Sequence, residues 1–343
     1  MDVPTRSRNT DTLVPPSDPA PERPRPVPET GSGRRRRRAR PLAAVLAAGV
    51  VLTSLALAGC GDTDSAAAGK DDTEQTDHTQ HDHGDAPEAQ KIAVKVPGGD
   101  AEYSFETTIQ EIEEGPVELV LTNMGAEEHQ ASIIRMPEGM TFDDLVGLAV
   151  EDPTGTKIFE TIEGFGGANG AAPGASVTAT QYLEPGDYLL ICLIPGADGV
   201  PHAMKGMVKP FTVVPKDGAG SAPKVDDVDV KLMDFAFVVP EKVEAGQRVS
   251  VRNDGKQTHE LAIARLGEGQ TVDQALAVIE GTDKESGPLT GGGGLGYVEP
   301  GRTVWTTMPE EPGRYLLYCM LPDTAGEGKP HIMVGMTREI TVS

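Results

Sequence analysis

Histidine, cysteine, tryptophan and basic residues are all scarce in this chain of 343 residues. It has seven histidines, three cysteines and one tryptophan, and 30 Lys and Arg face 53 Asp and Glu, which gives a net charge of −23. Such an acidic surface argues against binding of nucleic acid and suggests a basic or neutral partner. Three histidines (His78, His81, His83) lie close together near the N-terminus, so only four remain for the rest of the chain.

Glycine and proline are abundant instead, with 41 and 28 residues. This favours turns and short strands over long helices. The length makes two domains the prior expectation. One stretch does occur twice: residues 185–207 read PGDYLLICLIPGADGVPHAMKGM, and residues 312–336 read PGRYLLYCMLPDTAGEGKPHIMVGM. In both, a Pro-Gly turn precedes an apolar strand that ends at a cysteine, and Pro-His and Gly-Met follow after a loop.

A second histidine lies upstream of each cysteine. Asn-x5-His follows an alternating strand in both copies, from Asn123 to His129 and from Asn253 to His259. On a strand, alternate residues share a face, so each cysteine is expected at the inner end of its strand, on the side of its apolar neighbours. Each copy thus offers two imidazoles, one thiolate and one thioether. Such a set suits a soft transition metal, copper above all, and is the ligand set of a blue-copper electron-transfer site.

The N-terminal 60 residues are predicted to form a basic region, an export signal and a lipidation site. Residues 1–33 favour no fold, a run of arginines follows at 34–38 and 40, and residues 42–58 are small and apolar. The ending Leu57-Ala58-Gly59-Cys60 resembles a bacterial lipobox, which implies lipid on Cys60, cleavage before it, and a protein held on the outer side of the cell membrane. A single spanning helix is the alternative, although the apolar run is short for it. An Arg-Arg pair leaves twin-arginine export open.

Residues 61–90 are predicted to be a flexible tether, because they are small, polar and acidic. The segment 77–85, rich in histidine and aspartate, suits weak capture of divalent metal ions. A copper-loading arm and a solvated spacer are equally good interpretations of it.

Two all-β domains are predicted, at 91–215 and 224–343, with a linker at 216–223. Both have an opening strand, alternating aromatics, the Asn-x5-His element, a short helix after Thr141 or Thr271, and a closing strand. Many short strands with turn signals favour a β-sandwich in each. The Gly-rich segments 164–174 and 287–296 are expected to be irregular connections.

Asn-x5-His, a Tyr-x3-Cys strand and His-x3-Gly-Met together resemble the blue (type 1) copper proteins, or cupredoxins. The resemblance covers both domains and implies a Greek-key β-sandwich with copper at one end. Carried over by position, the copper ligands would be His129, Cys192, His202 and Met207 in the first domain and His259, Cys319, His331 and Met336 in the second. Met204 and Met333 are rival axial ligands. The cysteine-to-histidine spacings, ten and twelve, are longer than in plastocyanin, and Gln130 and Glu260 stand where small cupredoxins often have asparagine.

One-electron transfer outside the cytoplasmic membrane, with a redox partner protein, is the leading function. A copper oxidase or nitrite reductase is disfavoured, because the cysteines are flanked by Ile191 and Leu193 and by Tyr318 and Met320 rather than by histidine, and because no His-x-His pair lies inside either domain. Copper storage or delivery to an acceptor protein, and a metal-free β-sandwich interaction module, are the alternatives. A disulfide between Cys192 and Cys319 is not expected.

Overall fold

The computed structural model describes residues 88–283, 285–286 and 289–343, all within one compact unit. The predicted export signal, the lipidation site at Cys60 and the metal-capturing segment 77–85 lie outside the described residues and stay predictions. Among the described residues, no helix has the length and apolar character needed to cross a membrane.

The first repeat is built from eight strands and two short helices. They are β1 (Gln90–Val96), β2 (Glu111–Glu113), β3 (Gly115–Asn123), β4 (His129–Arg135), α1 (Phe142–Glu151), α2 (Thr156–Phe159), β5 (Glu163–Ala171), β6 (Ser176–Leu183), β7 (Gly186–Ile191) and β8 (Val208–Val214).

The second repeat follows a similar order, with nine strands and one helix among its described residues. Its elements are β9 (Val230–Met233), β10 (Ala236–Val238), β11 (Lys242–Val243), β12 (Arg248–Asn253), β13 (His259–Arg265), α3 (Val272–Ile279), β14 (Thr290–Val298), β15 (Thr303–Thr307), β16 (Gly313–Tyr318) and β17 (Thr337–Val342).

Two sheets form the described part of the chain, and both run through the two repeats. One has the strand order β1-β3-β6-β15-β12-β9-β10, and the other β11-β17-β16-β13-β14-β5-β4-β7-β8-β2. One hydrophobic core joins side chains from both sheets, so they pack as a sandwich. The fold is all-β with short helices, as predicted. The repeats meet where β5 pairs antiparallel with β14 and β6 with β15. The domain boundary at 216–223 stays a prediction.

Residues 164–171 and 290–296 of the Gly-rich segments lie in strands, β5 and β14, so the expectation of irregular connections was wrong there. β5 and β14 lie beside the histidine-bearing strands β4 and β13, with bulged registers. Gly167 and Gly294 have positive φ angles of 92° and 126°, and a Cβ on either would overlap a carbonyl oxygen, that of Ala131 or of Leu261. Glycine is therefore required at these two places because the neighbouring backbone comes so close, and not because the chain turns.

The predicted helix starts are confirmed in both repeats. Thr141 and Thr271 are the N-caps of α1 and α3, and each accepts a hydrogen bond from the third residue of its helix, Asp144 or Gln274, whose side chain bonds back to the cap. Such a capping box satisfies two backbone N–H groups that the helix itself leaves free. Each cap is worth about 1 kcal/mol.

Candidate metal sites

The structure brings His129, Cys192 and His202 together in one buried group, which we call group 1. His129 begins β4, Cys192 directly follows β7, and His202 begins a 3-10 turn, His202–Lys205. The Nδ1 atoms of the two imidazoles are 3.1 Å apart, and Cys192 Sγ lies 3.4 Å from His202 Nδ1. All three side chains are fully buried. Three soft donor atoms thus converge at one end of the sandwich.

The second repeat builds the same arrangement from His259, Cys319 and His331, which we call group 2. Its two Nδ1 atoms are also 3.1 Å apart, and Cys319 Sγ lies 3.3 Å from His331 Nδ1. Again all three side chains are fully buried. Both cysteines are free thiols, so no disulfide joins them. Groups 1 and 2 are the two sets of potential metal ligands found among the described residues.

The asparagine of each Asn-x5-His element holds the loop that leads to the first histidine. Asn123 Nδ2 donates to the carbonyls of Glu127 at 2.7 Å and Ala171 at 2.8 Å, and its Oδ1 accepts from Gly125 N–H at 2.8 Å. Asn253 makes the matching bonds in the second repeat, to Gln257, Val298 and Gly255. This buried amide ties the loop to the end of the neighbouring Gly-rich strand and so fixes where the histidine enters its strand.

Backbone hydrogen bonds fold the segment between the cysteine and the methionine. His202 N–H donates to Ile194 O, Ala203 N–H to Cys192 O, and Met207 N–H to His202 O. The second repeat repeats this ladder, although its loop is two residues longer. The two extra residues therefore lie within the loop between Leu321 and His331, and the same hydrogen bonds place the second histidine next to the cysteine in both repeats.

The two methionine candidates of each repeat differ sharply in exposure. Met207 and Met336 are fully buried, whereas Met204 and Met333 are 50% and 57% exposed. Met207 also bonds through its backbone to both Cys192 and His202. Burial and connection to the ligands favour Met207 and Met336 as the axial thioethers, in agreement with the Gly-Met pattern.

Each thiol is buried and accepts hydrogen bonds from the backbone. The N–H of Gln130 donates to Cys192 Sγ at 3.4 Å, and the N–H of Glu260 donates to Cys319 Sγ at 3.5 Å. Burial raises the pKa of Cys192 to about 12 and that of Cys319 well above its ordinary value. Without a positive charge nearby, both sulfurs therefore keep their protons, and a bound metal ion would displace them.

Three of the four imidazoles have pKa values lowered by burial, which favours their neutral form. Burial lowers the pKa values of His202 and His259, and burial together with the neighbouring His259 lowers the pKa of His331 to about 4. Neutral imidazole is the state that binds metal ions.

Carboxylates contact the outer nitrogens of three histidine rings, a contact that the sequence patterns do not predict. Glu102 Oε1 lies 3.0 Å from His129 Nε2, Glu127 Oε2 lies 2.9 Å from His202 Nε2, and Asp234 Oδ1 lies 3.2 Å from His259 Nε2. Desolvation opposes ionisation of Glu102, but hydrogen bonds from His129 and from the N–H groups of Glu127 and Ala126 prevail and lower its pKa. Since a carboxylate can only accept, the imidazole must donate Nε2–H, which leaves Nδ1 as a lone pair.

The donor chemistry of group 1 fits a cation. With Nε2–H given to Glu102 and Glu127, the Nδ1 atoms of His129 and His202 are two acceptors at 3.1 Å, next to a sulfur. Two facing lone pairs are mutually repulsive, and a metal ion between them satisfies both. Two imidazoles, a thiolate and a thioether are the set that suits copper in both of its common oxidation states.

Comparisons with known proteins give only distant likenesses. No protein-family model and no curated protein matches the chain. Among solved structures, reduced auracyanin from Roseiflexus castenholzii is 21% identical over 33% of this chain and 94% of its own, with a TM-score of 0.23. Auracyanin A, a "blue" copper protein from Chloroflexus aurantiacus, is 19% identical over 33% of this chain and 95% of its own, with a TM-score of 0.20.

A longer match is to copper nitrite reductase from Nitrosomonas europaea. It is 15% identical and covers 75% of this chain and 94% of its own, with a TM-score of 0.22. TM-scores this low carry no argument about function. The copper assignment therefore rests on the residues of groups 1 and 2.

Proposed function

We propose that this chain is an extracytoplasmic copper protein that transfers single electrons through two type 1 sites and is held at the membrane by lipid on Cys60. The observation that supports it most is the duplicated buried group of two imidazoles, one thiol and a neighbouring buried methionine. Copper bound by such a set exchanges one electron without a large change of ligand geometry.

The protein residues supply the rigidity that this function needs. Each imidazole of group 1 is fixed at its outer nitrogen by a carboxylate, and each thiol by a backbone N–H. Because these partners are themselves part of the sandwich, the ligands hold their places in both oxidation states, and little reorganisation accompanies the transfer of an electron.

Exposed apolar side chains beside each group support docking of a redox partner. Met204 and Val200 lie exposed in the loop of group 1, and Met320, Met333 and Val334 beside group 2. Exposed large apolar side chains that cluster next to a site mark interaction surfaces. A partner that presents a basic or neutral rim would suit the acidic charge of the chain.

The test is an optical and redox measurement on the full chain purified in detergent and loaded with copper. The proposal expects an intense thiolate-to-copper band that bleaches on reduction and returns on reoxidation. Cys192→Ser and Cys319→Ser should each remove one site and leave the other. Copper that binds without this band, and passes to an acceptor protein without redox change, would instead support storage or delivery. Reduction of nitrite or dioxygen by the isolated protein would support an enzyme.

A further inference from the structure

Groups 1 and 2 match in their inner atoms but differ at one outer nitrogen. The first histidine of each group has a carboxylate partner, Glu102 for His129 and Asp234 for His259. The thiols receive equivalent backbone hydrogen bonds, at 3.4 Å and 3.5 Å. These features do not distinguish the two groups. The second histidine, His202 or His331, does.

In group 1 the second histidine is bonded to a carboxylate that is itself fixed. Glu127 Oε2 lies 2.9 Å from His202 Nε2, and Tyr103 Oη donates to Glu127 Oε1 at 3.1 Å. The ring of Tyr103 also packs against that of His202, with centroids 4.9 Å apart. Tyr103 thus positions Glu127 and contacts the imidazole that Glu127 holds.

In group 2 both of these residues are replaced. Counted from the repeats, Gln257 stands at the position of Glu127, and Phe235 at that of Tyr103. Phe235 keeps the ring contact, 5.2 Å from His331, but has no hydroxyl. The Gln257 amide turns away: its Nε2 donates to Asp323 at 2.9 Å, and its Oε1 accepts from Thr324 N–H at 2.7 Å.

As a result, His331 Nε2 is a buried nitrogen with no hydrogen-bond partner among the described residues. A carboxylate that accepts the outer N–H makes an imidazole a stronger donor at its inner nitrogen and adds negative charge close to the metal. Both effects favour the more positive oxidation state. They act at a fully buried imidazole, although the Glu127 side chain itself is 32% exposed and water weakens the effect of its charge.

Two charges act in the opposite direction. Glu260 is a buried carboxyl near Cys319 where the first repeat has Gln130, but its oxygens accept hydrogen bonds from Met320 N–H and Asn169 Nδ2 and do not contact an imidazole. Lys205 lies 4.3 Å above the ring of Tyr103, near group 1, where the second repeat has Val334. However, its ammonium is 2.8 Å from Asp198, so the pair is nearly neutral at a distance. The carboxylate that bonds directly to His202 is therefore the larger effect.

We infer that Glu127, positioned by Tyr103, gives group 1 a lower reduction potential than group 2. This inference rests on the proposed function, since it takes both groups to hold redox-active copper. The two sites are then unequal. An electron shared between them at equilibrium prefers group 2, so electron transfer within the protein is favourable from group 1 to group 2.

The test measures each reduction potential alone, by spectroelectrochemical titration of the blue band in the full chain. Cys319→Ser leaves group 1 and Cys192→Ser leaves group 2. Group 1 should have the lower potential. Adding Glu127→Gln to the Cys319→Ser chain should raise the reduction potential of group 1 by about 59 mV. At a fixed applied potential this is a roughly tenfold higher ratio of reduced to oxidised copper. Tyr103→Phe should move the potential in the same direction by less.

Glu138→Gln is the matched control. It removes the same charge from the exposed loop beyond β4, at the end of that strand opposite His129, and should leave the potential unchanged. The double change Phe235→Tyr with Gln257→Glu, in the Cys192→Ser chain, should lower the potential of group 2. If Glu127→Gln does not retain copper, this reciprocal variant decides alone.

A second readout needs no metal. In the metal-free protein, nitrogen NMR of the ring should show His202 as one tautomer with a bonded Nε2–H, and Glu127→Gln should remove that bond's signature. Equal potentials for the two groups, or a Glu127→Gln shift no larger than that of Glu138→Gln, would overturn the inference while leaving copper electron transfer intact. Lack of a blue band in both single-site chains would instead contradict the proposed function.

Discussion

Replacing Asn123 by alanine should destabilise the loop that positions His129, so that group 1 no longer binds copper while group 2 still does. The amide makes three hydrogen bonds, two donated to the carbonyls of Glu127 and Ala171 and one accepted from Gly125 N–H. The side chain of Asn123 is fully buried, so water does not replace these bonds without a rearrangement of the loop. A buried polar group left without its partner costs about 1–3 kcal/mol. With one buried and two partly buried partners, we expect a loss of roughly 2–5 kcal/mol in the free energy of unfolding.

The assay is urea unfolding of the metal-free chain, followed by circular dichroism, with copper counting on the loaded chain. Group 2 serves as the control within the same molecule, because Asn253 is unchanged and makes the matching bonds. We expect the copper content of Asn123→Ala to fall from two ions to one. The remaining copper should have the reduction potential of group 2, as measured in the Cys192→Ser chain. A loss of less than 1 kcal/mol together with two full blue bands would refute the role given to this asparagine.

Two further predictions concern the axial ligand and the Gly-rich strands. Met207→Leu removes a buried thioether donor that favours oxidised copper, so it should raise the reduction potential of group 1 and keep the blue band. Met204→Leu changes an exposed residue and should leave both the potential and the band as they are. The reverse pattern would make Met204 the ligand. Gly294→Ala combines a positive φ, which costs about 1–2 kcal/mol, with an overlap onto the carbonyl of Leu261, which adds about 1–3 kcal/mol. Gly301→Ala has the positive φ and open space around it, so only the first cost applies. Equal losses of unfolding free energy in these two variants would contradict the close approach of β13 and β14.

The ligand groups were predictable from the sequence because local patterns fix them. A strand ending at a cysteine, and a histidine six residues after a buried asparagine, place their side chains through period-two alternation and short hydrogen-bonded loops. The same order of these residues in two repeats made a chance pattern improbable. For the methionines the Gly-Met pattern already favoured Met207, and the structure adds its burial and its backbone hydrogen bonds to Cys192 and His202, which separate it from the exposed Met204.

The Gly-rich strands were not predictable by the same reasoning. Glycine ordinarily weakens a strand, and segments 164–174 and 287–296 have few side chains that favour extended structure. What makes residues 164–171 and 290–296 strands is long-range pairing: β5 is bordered by β4 and β14, and β14 by β13 and β5. Their close packing excludes a Cβ at several positions. That packing also joins the repeats, which no pattern within one repeat indicates.

The carboxylates beside the histidines were missed for another reason. Glu102 and Glu127 lie in polar segments where an acidic residue ordinarily faces solvent. One signal was present: both repeats have an acid directly before an aromatic residue, Glu102-Tyr103 and Asp234-Phe235. The sequence shows that Glu127 is replaced by Gln257 in the second repeat, but only the folded loop shows that Glu127 contacts the second histidine of its group.

An optical spectrum and a copper count on the purified chain would show whether it holds two copper sites of one kind. We expect two copper ions per chain and an intense blue band that is halved in Cys192→Ser and in Cys319→Ser and lost when both are changed. Copper bound without the band, or a band that survives the loss of both cysteines, would contradict this expectation.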